Sequence, residues 1–162
     1  MAGASYTFQE HLIERQAKAE EELLKELRSG SYTIQNPIVR PNFYFIAPLT
    51  AVIAFCTEEE TAVTVTVFGK TKEANITHTF PKAKEHVLPI MGLYPEYTNR
   101  VEIREYRGAS HIVEIEMGKP DCGNGFLYSM DTTPEYMQDN CIFLTPSSGE
   151  KASAYDYAGD LR

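Results

Sequence analysis

Leu49-Thr-Ala-Val-Ile-Ala-Phe-Cys56 is almost wholly apolar, and shortly after it Ala62-Val-Thr-Val-Thr-Val-Phe68 alternates valine with threonine. Side chains alternate faces along a strand, so Val63, Val65 and Val67 point one way and Thr64 and Thr66 the other, the pattern of a half-exposed antiparallel strand. The first run has no polar face, as befits a central strand buried on both sides. The composition of both runs favours pleated over helical backbone, so the domain around them is expected to be β.

Reading outward, short runs rich in Val, Ile, Thr and aromatics, broken by Pro and Gly, predict seven strands near Ile34–Arg40, Leu49–Thr57, Ala62–Phe68, Asn75–Phe80, His86–Met91, Asn99–Tyr106 and Ser110–Met117. Arg107-Gly108 closes the last hairpin. This spacing argues for an antiparallel, two-sheet Greek-key β-sandwich of the immunoglobulin or fibronectin type III kind. Leu93-Tyr-Pro95 leading into Tyr97 reads either as a tyrosine corner or as a Pro turn with a surface tyrosine.

Three regions follow. Residues 1–30 hold a helix: Thr7-Phe-Gln-Glu10 reads as a capping box, good helix formers run from Phe8 to Arg28, and Gly30 is placed to take a left-handed stop. Its interrupted stripe of Phe8, Leu12, Ile13, Leu23, Leu24 and Leu27 needs a surface to lie against, as a docking helix or as a dimerisation or inter-domain strut. Residues 31–118 form the sandwich. Residues 119–162 form a linker, from the loop signature Gly118-Lys-Pro-Asp-Cys-Gly-Asn-Gly125, followed by strands near Phe126–Met130, Cys141–Leu144 and Ala154–Tyr157, too few to close a sheet.

Composition narrows the function. A formal net charge of −8, with 15 scattered Lys and Arg, disfavours nucleic acid. The 43% hydrophobic and 23% charged content fits a folded soluble protein, and no stretch approaches the roughly 20 apolar residues of a membrane span. Met1 to Phe8 has neither the basic nor the apolar region of a signal peptide. Cys56 reads as a buried apolar residue; Cys122 and Cys141 read equally as a bridge or as two free thiols.

His11, His78, His86 and His111 have no second ligand at metal spacing and read as surface or rim residues. Glu58, Glu59 and Glu60 read as a solvated turn, and the Asn75-Ile-Thr77 sequon is too common to carry weight. Neither a nucleophile elbow nor a Walker loop nor a dinucleotide fingerprint occurs, so no catalytic, cofactor-binding or metal residue is assigned.

Asn36-Pro37, Ala47-Pro-Leu-Thr-Ala51, Val63-Thr-Val-Thr-Val-Phe-Gly-Lys70, Ile76-Thr-His-Thr-Phe80 and Gly92-Leu-Tyr-Pro95, in that order, resemble the amino-terminal domain of bacterial arylsulfate sulfotransferases. Asp156-Tyr-Ala-Gly-Asp-Leu-Arg162 is similar to the opening of the six-bladed β-propeller that follows in that family. Arg40-Pro-Asn-Phe-Tyr44 departs from the family's usual Asn-Pro-Tyr-Gly. The resemblance implies that catalysis belongs to a propeller histidine, which takes the sulfuryl group of a phenolic sulfate as a transient sulfohistidine and passes it to a phenol without a nucleotide cofactor. None of the four histidines here inherits that role. The resemblance further implies an exported parent, periplasmic or extracellular, with the missing propeller as this domain's partner and a homodimer contact as an alternative role. The rival reading is a stand-alone Ig-like binding module, with Phe43, Tyr44 and Phe45 as its candidate interaction surface.

Overall fold

The structure is a computed structural model that describes residues 4–120, 142–144, 152–156 and 158–162. Helix α1 (Ala4–Ser29) precedes five strands, β1 (Ile38–Pro41), β2 (Ala51–Val67), β3 (Ile76–Ile90), β4 (Tyr97–Glu105) and β5 (Ser110–Met117), with a 3-10 turn at Lys72–Ala74. Two short strands, β6 (Ile142–Leu144) and β7 (Ser153–Tyr155), pair as a separate antiparallel hairpin. The expected strand at Phe126–Met130 and the Cys122–Cys141 question lie outside the described residues.

Two expected pairs of strands are single long ones. Leu49–Thr57 and Ala62–Phe68 are the halves of β2, and Asn75–Phe80 and His86–Met91 are the halves of β3. The register slips between Cys56↔Glu85 and Thr61↔Ala83, so that Thr57–Glu60 bulge opposite Lys84. Extra residues on one strand bend it and raise its twist. Glu58–Glu60 are therefore the exposed outside of a bend, braced by Thr57 Oγ1 donating to the Glu59 carbonyl at 2.8 Å.

The bend makes one sheet into a sandwich. Ahead of it, β2 lies between β1 and the C-terminal half of β3; beyond it, β2 lies between the N-terminal half of β3 and β4, which β5 extends. Ala51, Ile53 and Phe55 from the first half share one core with Val63, Val65 and Val67 from the second, joined by Leu88, Ile90, Val101, Ile103 and Ile115. Alternation sends Val52 and Ala54 to the opposite face, where α1 covers them with Leu23 and Leu27. The apolar run around Val52–Phe55 is buried on both sides because it has the curled sheet on one face and a helix on the other.

The helix is continuous from Ala4, so Thr7 lies inside it and the capping-box reading fails. Gly30 does not take positive φ; it leaves room for the Tyr32 ring, which a Cβ there would push aside. The first strand is shorter than expected, Ile38–Pro41, because Thr33 and Asn36 close a local bridge ahead of Pro37. Cys56 is half-buried at the edge of the helix-facing cluster. No described helix is long and apolar enough to cross a membrane.

Candidate functional site

Curling places the loops at 42–50, 68–75 and 91–96 at one end of the sandwich, tied by the Leu93 amide donating to the Leu49 carbonyl at 3.2 Å and the Lys70 amide donating to the Tyr94 hydroxyl at 3.3 Å. Gly92 turns the chain with φ of +77°, and a Cβ there would press on Ile76 Cδ1. Leu93 and Tyr94 then enter the core, both fully buried. Asn99, also fully buried, fixes Tyr94 from both sides: its Oδ1 accepts the Tyr94 amide at 2.7 Å and its Nδ2 donates to the Tyr94 carbonyl at 3.0 Å. Tyr94 is thus the anchoring tyrosine, whereas Tyr97, which the corner reading favoured, is 41% exposed.

The Tyr94 hydroxyl is the buried polar tip of a locked ring, and it donates to Asp156 Oδ2 at 2.6 Å. Burial, then this bond, pushes the phenol well above its ordinary range, so it stays a donor. Asp156 heads a turn that satisfies its own carboxylate: Oδ1 accepts the amides of Ala158 and Asp160 at 3.0 Å each, and Gly159 takes φ of +84° to close it. An Asp side chain capping the backbone two residues on is the local chemistry that makes such turns.

The returning chain pairs Leu161 with Tyr155 and brings Arg162 back over Tyr94, its guanidinium 4.5 Å from the ring centroid. Arg162 Nε donates to the Gly92 carbonyl at 2.9 Å, and Nη1 donates to the Ala74 carbonyl. At the rim, Lys70 Nζ lies 2.6 Å from Asp160 Oδ1. Asp156 is 1% exposed and Arg162 5%. A buried carboxylate with three donors and a buried guanidinium with two carbonyls and a ring form a polar clasp; breaking such a contact leaves a charge without water or partner. The clasp joins sandwich loops at 70, 74, 92 and 94 to the Asp156–Arg162 turn. Its chemistry is that of holding, with the hydroxyl and carboxylate consumed by each other.

The aromatics proposed from sequence lie beside α1. Phe43 is buried in the helix-facing cluster; Tyr44 is half-buried, its hydroxyl donating to Glu20 Oε1 at 2.9 Å and its carbonyl accepting from Gln16 Nε2 at 2.7 Å; Phe45 is 37% exposed beneath the Arg15 guanidinium at 3.6 Å. Phe43 and Phe45 also border a shallow cavity of about 360 Å³ between α1 and residues 40–45. His86 is buried rather than at a rim: its ring stacks on Phe55, 4.9 Å between centroids, and Nε2 is 3.2 Å from Thr57 Oγ1. His78 is exposed and edge-on to Phe80, and His11 is exposed on the helix. Among the described residues no group of three His, Cys, Asp or Glu is placed to hold a metal ion.

Sequence reasoning missed Tyr94, Asn99, Lys70 and the buried state of Arg162. The readable signal was the Asp156-x-x-Gly159-Asp160 turn; its docking against residues more than sixty positions upstream had none. Comparison with protein families matches residues 38–118, half of the chain and the span from β1 to the end of β5, to the arylsulfotransferase Ig-like domain. Neither the curated proteins nor the solved structures contain a match.

Proposed function

The chain belongs to the arylsulfotransferase Ig-like domain family, and from that premise we propose that its sandwich is a non-catalytic support that grips the start of the segment following it. The observation that carries this is the clasp between Tyr94 and the Asp156–Arg162 turn, in which the Tyr94 hydroxyl and the Gly92 and Ala74 carbonyls of the sandwich end are bonded to a segment outside the family-matched span. In this reading residues 1–30 are a docking helix, 31–118 the support, and 119–162 a linker with the first part of a β-propeller. The propeller carries the reaction: a histidine nitrogen attacks sulfur, the aryl S–O bond breaks with release of the phenol, and the sulfohistidine passes the sulfuryl group to a second phenol. The parent acts in the periplasm or outside the cell.

The purified chain, incubated with p-nitrophenyl sulfate and a phenol acceptor, is expected to release no nitrophenol above background. Turnover that co-purifies with the chain through further columns overturns the assignment of chemistry to another domain.

Of the aromatics offered for a stand-alone binding module, Phe43 is buried and Tyr44 bonded under α1, so that second reading rests on Phe45 alone, exposed beside the cavity under α1. Ile13, 63% exposed on α1, supports a homodimer contact. A monomeric mass at high concentration removes the second of these.

A further inference from the structure

The sandwich has several sheet edges, and they are not equally guarded. An edge strand presents unpaired N–H and C=O groups, which natural proteins blunt with Pro, Lys, bulges, brevity or a covering element. Strand β1 is four residues long, ends in Pro41, and runs under α1, with Arg40 Nη2 2.8 Å from Glu26 Oε1. Strand β3, paired among the described residues with β2 alone, carries Pro81, Lys82, Lys84 and Pro89 and breaks register at the bend. Strand β5 has only the charges of Glu114 and Glu116 to guard it: eight residues, Ser-His-Ile-Val-Glu-Ile-Glu-Met, without Pro, Lys or bulge, in unbroken register with β4, and among the described residues no strand pairs with its other side.

We propose that the outer edge of β5 is a strand-docking edge, taking an extended partner segment whose outward residues are basic and inward residues apolar. Paired strands exchange backbone hydrogen bonds, while alternate side chains set specificity. On the outward face a docked strand meets Glu114 and Glu116, both exposed, with the exposed Ile112 beside them and Arg100 of β4 across from Glu114; on the inward face it covers Val113 and Met117, each 9% exposed against 2% for Ile115 between them. Opposite charges across neighbouring strands stabilise pairing and like charges oppose it. A second copy of β5 would bring the same acidic face alongside itself, so the occupant is a heterologous, cationic strand.

The test uses the full chain and a labelled eight-residue peptide of alternating Lys and Val, with a Glu and Val peptide as its counterpart, followed by fluorescence anisotropy and by amide shifts in NMR. The Lys peptide is expected to bind with shifts centred on residues 110–117, and Glu114→Lys with Glu116→Lys to weaken it at least tenfold while admitting the Glu peptide. Charge reversal at Glu58, Glu59 and Glu60, at the distant bend, is expected to leave binding within about twofold. Absence of binding by the Lys peptide, equal loss from either set of reversals, or dimerisation of the chain through residues 110–117 would each overturn the proposal.

Discussion

At the residue scale, two positions carry the most physics and were the least legible. Tyr94 and Tyr97 flank the same proline, and pattern alone favours the tyrosine at the strand entrance; the choice is made by Asn99, whose amide pins the Tyr94 backbone, and by Asp156, far off in sequence. His86 sits in a polar stretch, Lys82-Ala-Lys-Glu-His86, that reads as surface. It is buried because its register partner is Phe55, on the inside of the bend. Burial lowers its pKa below the ordinary 6.5, with the charge of Glu105 pulling weakly the other way. The unfolded chain therefore takes up the proton first as pH falls, so this contribution to stability is intact above pH 6.5 and is lost on descending through and below it. Urea midpoints are expected to fall between pH 7.5 and 5.5 in the native chain and to fall measurably less in His86→Gln. An identical slope in the two proteins would assign the dependence to other groups.

At the element scale the sequence was more informative, because periodicity is a local signal. The valine and threonine alternation of Val63–Val67 and the two-sided burial of Val52–Phe55 stand as read, and Arg107-Gly108 does turn the last hairpin, with the positive φ on Arg107. The joining of these runs into single bent strands was not readable: Glu58–Glu60 look like a turn, and only their pairing opposite Lys84 reveals a bulge. Helix α1 was legible as an element and at its C-terminal end, though it begins at Ala4, ahead of the expected cap at Thr7, and its role follows from what it covers. Its C-terminal half inserts Leu23 and Leu27 into the sheet, backed by the two-pronged Arg28–Glu85 pair, in which Arg28 Nε and Nη2 donate at 3.0 and 2.9 Å. Leu27 is 1% exposed, so Leu27→Ala is expected to cost about 2–5 kcal/mol, and its urea midpoint should show this against a small change for the exposed Ile13→Ala. Equal effects of the two substitutions would mean that α1 does not dock on this face.

At the scale of the whole molecule, the chain is a curled sheet closed by a helix on one face and by a returning strap at one end. The resemblance of Asp156–Arg162 to the start of a further module marked that stretch as important, but nothing in its seven residues specifies what it rests upon. Long-range docking is decided where the loops at 70, 74 and 92–94 meet, and only the folded molecule brings them together. The sandwich is thereby committed at that end to its own chain, while among the described residues no strand pairs with the outer side of β5. Whether the clasp holds the returning segment is read from a double-mutant cycle of Tyr94→Phe with Asp156→Ala, followed by urea unfolding. The geometry predicts a coupling of about 1–3 kcal/mol between the two sites. Strictly additive effects, or no effect of Tyr94→Phe at all, would contradict a sandwich end that holds the following segment through this bond.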